Sequence, residues 1–284
     1  MLSFIALLLT RPGAHLVPLL SPVLSLTLTW AKSAEQEGTL APELHAPLAA
    51  VHLAALRNRW SVFFPKPGTP AANAAASLAA RDPAAAATLA AAPRVILEHV
   101  GRVLSSSYSG PGGTTTVGHH HHHHGGGGGP AVTNPGAVRA VLNELERCRR
   151  QVNLYRSEVF VPLRPHFIAA ALGAVVGRHH DSLFGELAGL IHGLASEDFQ
   201  SFYGEVLPGY LGSAAALPGL DDGQRMALLS LLPASTSDEP SMKRGLGRLA
   251  RDASLYLRVN CAAVKGNSKS KKKGGHEFFP FLFF

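Results

Sequence analysis

The chain has 284 residues, 46% hydrophobic and only 16% charged, enough for one large or two small domains with a sizeable core. Its formal net charge is +7, but residues 261–284 hold five lysines against Glu277, which leaves +3 for everything before them. So mild an excess excludes a nucleic-acid-binding body, and two cysteines, Cys148 and Cys261, exclude a disulfide framework and suit a reducing, intracellular setting.

At the N-terminus, Leu2 to Leu9 is apolar and Pro12 to Ala31 carries no formal charge. No basic residue precedes Leu2, and Arg11-Pro12 stands where a signal-peptide cleavage site belongs. Pro12, Pro18 and Pro22 would interrupt the hydrogen bonding of a membrane helix. The leading expectation is therefore buried helices that begin a solenoid, with no membrane partner. The alternative is a membrane-associated or secreted helical protein that uses residues 2–30 as anchor or signal.

Glu43 to Phe64 has Leu44, Leu48, Val51 and Ala55 on one helical face, with Leu53, Leu56 and Trp60 on the neighbouring stripe. From Lys66 to Ala92 the composition turns to Ala, Pro, Gly and Asn and offers few anchors for a packed face, so it reads as an insert. Val95, Ile96, Val100, Val103 and Leu104 predict a short helix. Ser105 to Pro135, with the run His119 to His124, is too poor in apolar residues to repay its ordering and is expected to be disordered.

Between Val138 and Val259 six apolar, helix-spaced segments arrive as three pairs. The first steps through Val141, Leu145, Cys148, Val152, Tyr155 and Val159 as one long helix, ended by Pro162 and Pro165. The second carries Phe167, Ile168, Ala171, Leu172, Val175 and Val176. Asp181 is placed to cap the third, with Leu183, Phe184, Leu187, Leu190, Ile191 and Leu194 inward. The fourth opens at Ser196 to Asp198, points Phe199, Phe202, Tyr203, Val206 and Leu207 inward, and meets a kink at Pro208. Asp221 and Asp222 open the fifth, with Met226, Leu228, Leu229 and Leu232 inward. The sixth starts near Asp238-Glu239-Pro240 and continues through Met242, Leu246, Leu249, Ala253 and Tyr256. Gly185, Gly189, Gly193 and Gly204 inside these helices each cost about 1 kcal/mol relative to Ala, so packing must supply the stability unless they mark close approach.

The fold class is thus all-α: a HEAT-like solenoid of helical hairpins with long disordered inserts. Four regions are expected: N-terminal helices forming partial repeats (1–64), a low-complexity insert (65–136), the main repeats (137–260), and a disordered tail, basic then aromatic (261–284).

The run from Ala195 to Leu211, with its Phe199-x-x-Phe202-Tyr203-x-x-x-Leu207-Pro208 core, is unusual for generic helices. Gln224-Arg225, then Asp238-Glu239-Pro240-Ser241-Met242, and finally Asp252-x-x-x-Tyr256-x-Arg258-x-Asn260 follow it in order. Together they resemble the C-terminal end of the exportin-six family, importin-β-like nuclear transport receptors built of HEAT-type hairpins. Leu154 to Phe160 and Asn58-Arg59-Trp60 resemble helices further upstream in the same family. The resemblance implies a protein-binding scaffold of nuclear transport that shuttles between nucleus and cytoplasm, with protein cargo of the actin–profilin type and the small GTPase Ran as partners. Ran recognition in the family rests chiefly on N-terminal repeats, which lie outside the resemblance. Family chains are several times longer, so the chain reads as a fragment or diverged short form. The resemblance brings no catalytic residue and no cofactor.

Candidate chemistry is sparse. His119 to His124 are metal-ligand types, but flanking glycines give them no second shell, and they read as a tag or homopolymer repeat. His179-His180-Asp181 lie on adjacent helical positions that diverge by about 100°. Gly245-Leu246-Gly247-Arg248-Leu249-Ala250 spells a dinucleotide fingerprint but sits inside a helical stripe with no strand before it. No nucleophile elbow or phosphate-loop lysine is present, and the chain reads as a non-enzyme without a metal site. Arg147, Arg150, Arg156, Arg248 and Arg251 are the candidate basic face for an acidic partner. Lys269, Lys271, Lys272 and Lys273 form a candidate nuclear-localisation patch.

Overall fold

The computed structural model describes residues 1–11, 13–32, 41–106, 134–177 and 181–271, with side chains of the last helix described as far as Asn260. All regular structure among the described residues is helical. The N-terminal elements are α1 (Leu2–Thr10), α2 (Val17–Lys32), α3 (His45–Asn58) and the single turn α4 (Trp60–Phe63), followed by α5 (Pro70–Arg81) and α6 (Pro83–Ser106). Then come α7 (Pro135–Val152), α8 (Arg164–Gly177), α9 (Phe184–Ala195), α10 (Phe199–Ser201), α11 (Leu207–Gly212), α12 (Asp222–Ser230) and α13 (Glu239–Lys271).

Consecutive helices alternate between two layers. In one, α1 packs on α3, α3 on α7, and α7 on α9; in the other, α2 packs on α6 and α6 on α8. α13 covers both α8 and α9, and α12 leans on its side. Every layer faces the other through the apolar stripes the periodicity marks out, so one continuous core runs from Ile5 to Ala253. The expected all-α array of hairpins is the fold.

The apolar N-terminal stretch serves this core. Ile5 and Leu9 of α1, and Leu20, Leu24 and Leu28 of α2, are buried. No helix among the described residues is long and apolar enough to cross a membrane. Arginines close the ends of both helices. Arg59 donates to the carbonyls of Arg11 and Gly13, and Arg102 to that of Ala31 at 3.3 Å. The carbonyls of Arg11 and Ala31 are ones that a helix C-terminus leaves without partners.

Part of the region expected as a disordered insert is ordered. Residues 70–106 form α5 and α6. Thr69 caps α5 and Asp82 caps α6, each with a proline at the first helical position, and alanine is the best helix former. α5 buries nothing, as its composition implies. The later half of α6 sinks Leu89, Ala92, Ile96, Leu97, Val100 and Leu104 into the core, so the short helix expected near Val95 is the end of a 24-residue one.

Four other expectations need correction. The helix predicted to run to Val159 stops at Val152, where Asn153 adopts a left-handed conformation (φ 53°) that asparagine tolerates better than most residues. Tyr155 still reaches the core, from a 3₁₀ turn, and Val159 packs half-buried against it, so the stripe survives while the helix does not. A 3₁₀ turn from Asp181 to Leu183 precedes α9, whose N-cap position is held by Leu183. Before Pro208 the chain widens into a π-turn over Phe202–Val206, so Pro208 stands in the first turn of α11, where its missing N–H is tolerated, rather than inside one regular α-helix. Met226 is 65% exposed, while Leu228 and Leu232 are buried.

Two caps match the sequence. Asp221 and Gln224 exchange backbone hydrogen bonds in a capping box, at 2.7 and 3.1 Å. Asp238 accepts from the Ser241 N–H at 2.9 Å. Between them Arg225 donates to the carbonyls of Leu211, Leu217 and Leu220, pinning the loop that links α11 to α12. Arg225→Met leaves these acceptors without their charged donor, and thermal unfolding should report a loss of about 1–2 kcal/mol. An unchanged melting temperature would show the loop holds itself.

Candidate protein-binding surface

α7 carries an arginine-rich outer side, and the structure neutralises it locally. Glu144 accepts from Arg147 at 2.5 Å and from Arg57 of α3 at 3.3 Å. Glu146 accepts from Arg149 and Arg150, each at 2.6 Å. The hydrogen bond from Arg149, helped by Arg150, holds the Glu146 carboxyl below its usual range against the opposing effect of burial. Arg156, in the 3₁₀ turn beyond α7, reaches Glu197 at 2.6 Å. Of the five arginines predicted to form one basic face, Arg147, Arg150 and Arg156 are therefore each committed to a carboxylate. Arg248 and Arg251 stand apart on α13, exposed and without an ion pair among the described residues.

Between α7 and α13 lies α9, and three of its glycines floor a cleft of about 480 Å³. Arg149, Arg150 and Tyr155 line one wall, Glu239 and Lys243 the other. A Cβ on Gly193 would sit 3.3 Å from the Tyr155 ring, and one on Gly185 3.4 Å from Lys243 Nζ. These glycines do mark close approach, whereas Gly204 has nothing within 4 Å. A second, larger groove of about 1030 Å³ runs between α2 and the α5–α6 pair, lined by apolar groups such as Val17, Ala75, Leu78 and Leu89.

The joint between α3 and α7 is closed. Cys148 donates its thiol to the Leu53 carbonyl at 3.5 Å, and burial pushes its pKa up to about 12, which makes it an inert core group. Arg57 adds a bond to Gln151 at 2.9 Å.

His119 to His124, His179 and His180 lie outside the described residues, as do the side chains of Lys269, Lys271, Lys272 and Lys273. Among the described residues no group of three His, Cys, Asp or Glu side chains is placed to hold a metal ion. The fingerprint-like Gly245 to Ala250 is interior to α13, with Leu246 and Leu249 buried.

Sequence reasoning missed a histidine cluster. His45 and His52 of α3 face His99 of α6, with ring centroids 5.4 and 6.2 Å from it. His52 Nε2 pairs with Thr27 Oγ at 2.8 Å, and His45 Nδ1 with His99 Nε2 at 3.2 Å. Positions 45 and 52 are seven apart on one helical face, a signal that was readable, but nothing local links them to position 99.

A family model described as exportin-6, C-terminal TPR repeats, matches residues 56–261. The chain belongs to the exportin-6 family. Exportin-6-A and Exportin-6-B of Xenopus laevis are 28% identical to it over 132 residues, 46% of this chain and 11% of theirs. Exportin-6 of Danio rerio is 29% identical over 129 residues, 45% of this chain and 11% of its own. The chain thus spans about a tenth of the length of these curated relatives. No solved structure matches it. The exportin-6 repeats are termed TPR, whereas the helix spacing suggests HEAT-like hairpins; both are stacked helix pairs, with periods of about 34 and about 40–47 residues. The exportin-6 match starts inside α3 and crosses α6 as well as α7 to α13, so it covers most of the continuous core, with α1 and α2 ahead of it.

Proposed function

We propose that the chain is a protein-binding scaffold of nuclear export, acting as the C-terminal repeats of an exportin-6-type receptor do. Its cargo is of the actin–profilin type, carried between nucleus and cytoplasm in a Ran-dependent cycle. The observation that supports this is the family match across residues 56–261, whose described helices pack as a two-layer array. Such arrays bind folded partners with side chains of a rigid surface while their apolar stripes hold neighbour to neighbour. The role of these helices is contact with cargo, with Ran engaged elsewhere in a full-length receptor.

The test is direct binding of the purified, folded chain to purified actin–profilin, to actin alone and to GTP-loaded Ran. Retention of actin–profilin in the micromolar range, in preference to actin alone and without need of Ran, is the expected result. No retention at tens of micromolar, with the helical circular-dichroism signal intact, would overturn the cargo assignment.

A further inference from the structure

We propose that the outer face of α13 is a docking surface for an acidic protein segment that lies along it as a helix. This deepens the scaffold reading and rests on it, by giving the chemistry of one partner contact.

Ahead of the lysine-rich tail, the net charge of the chain falls on this helix. Residues 1–238 carry sixteen basic and sixteen acidic side chains, whereas residues 239–260 carry five basic and two acidic ones. Arg244, Arg248, Arg251, Leu255 and Arg258 step by 4, 3, 4 and 3, a single row on the side opposite buried Met242, Leu246, Leu249 and Ala253. All four arginines are exposed, and Leu255 in their midst is 57% exposed with Val259 beside it at 55%. The helix continues to Lys271, and in sequence the same spacing passes through Ala262, Lys265 and Lys269.

An ordinary solvated helix face intersperses acids so that neighbours three and four apart attract; like charges at that spacing repel. The rest of this protein follows the rule. Every ion pair among the described residues uses an arginine between Arg57 and Arg156. On α13 the arginines hydrogen-bond to hydroxyls and form no ion pair among the described residues: Arg244 donates to Ser241 at 2.8 Å and Arg258 to Ser254 at 3.1 Å. Asp238, at the start of the helix, is the acidic group that feels Arg244. Asp252 is half-buried beside the row and forms no ion pair with it. A row of repelling cations around an exposed leucine is a complement for a helix with carboxylates at the same 3–4 spacing about an apolar residue.

The shape selects protein over the other polyanions. From Arg244 to Arg258 the row runs about 21 Å along one helix and is one side chain wide. Duplex binding draws on about 6–10 phosphate contacts across a broad surface, which a single row of four arginines does not supply. Leu255 and Val259 alone are too small an apolar face for insertion at a lipid interface.

The experiment uses the full chain and a fluorescein-labelled helical peptide with glutamates at 3–4 spacing around a central leucine. Binding that weakens with added salt is expected. R248E/R251E should lose about tenfold in affinity, and Leu255→Ala several-fold with an unchanged salt slope. K66E/R81E removes the same charge from exposed sites on another part of the protein and should leave affinity within about twofold. Equal losses in the two charge-reversal variants would overturn the proposal, as would tighter binding of duplex RNA or phosphatidylserine vesicles through the same arginines. Its failure is read with the peptide and failure of the export reading with purified cargo, so each can fall alone.

Discussion

Acidification from about pH 7 to about pH 5 should lower the free energy of unfolding by about 4 kcal/mol, a large part of the roughly 5–15 kcal/mol that holds a typical domain. The source is His52 and His99, fully buried where α3 meets α6. Burial pulls the pKa of His52 down to about 4. For His99 burial acts first, and the positive charge that His52, His45 or Arg102 would set beside it adds to the effect, taking it to about 3. The Nδ1 atoms of both rings are buried without a partner, so neither has an acceptor there for the proton it would gain. In the unfolded chain both titrate near 6.5. Below that value the unfolded state binds more protons than the folded one, so stability falls as pH drops through 6.5 towards 4 and 3. Depressed carboxyls such as Glu146 lose their contribution only at lower pH, which leaves the window from about pH 7 to about pH 5 to the histidines. Urea midpoints across that window should slope in the parent chain and flatten in His52→Gln/His99→Gln, where the amide can still pair with Thr27. A slope that persists in the double variant would place the acid sensitivity elsewhere.

What could be read in advance was whatever is periodic. The inward positions of α8 and α9, and the stripe from Met242 to Ala253, are buried as their 3–4 spacing requires. Caps were legible where acid and backbone lie close in sequence, at Asp221 and Asp238. Composition is a poor guide at α5 and α6, because low complexity does not mean lack of structure, and Thr69-Pro70 and Asp82-Pro83 are helix-start signals that can be read without any partner in view. The end of α7 was hidden for the opposite reason: Asn153 breaks the helix, but the 3₁₀ turn after it keeps Tyr155 near its helical position and so preserves the spacing. The candidate basic face was only partly legible. Side chains off an apolar stripe are outward-facing, but whether Arg156 meets Glu197 depends on how α7 and α9 are joined, which no local pattern encodes. Arg244 and Arg258 were missed, although their register with Arg248 and Arg251 is visible in the sequence.

Gly245→Ala should destabilise the protein by about 2 kcal/mol, although the same substitution in an exposed helix would stabilise it by about 1 kcal/mol. Gly245 lies in α13 where α12 ends against it. A Cβ there would come within 2.6 Å of Leu232 Cδ2 and 2.8 Å of the Leu231 carbonyl oxygen. The leucine tip has little room to turn away, because Leu232 is itself buried, and the carbonyl belongs to the backbone that closes α12. Relief therefore requires α12 to shift off α13, which strains the loop held by Arg225 and the contact of Asn260 with the Gly219 carbonyl at 2.6 Å. Gly204→Ala is the comparison: with nothing within 4 Å of the new methyl, only the helical preference of alanine acts, and a gain of up to about 1 kcal/mol is expected. Chemical denaturation of the two variants should move midpoints in opposite directions. A gain in both would mean that α12 and α13 are not in contact at Gly245, and the terminal packing described for this array would have to be redrawn.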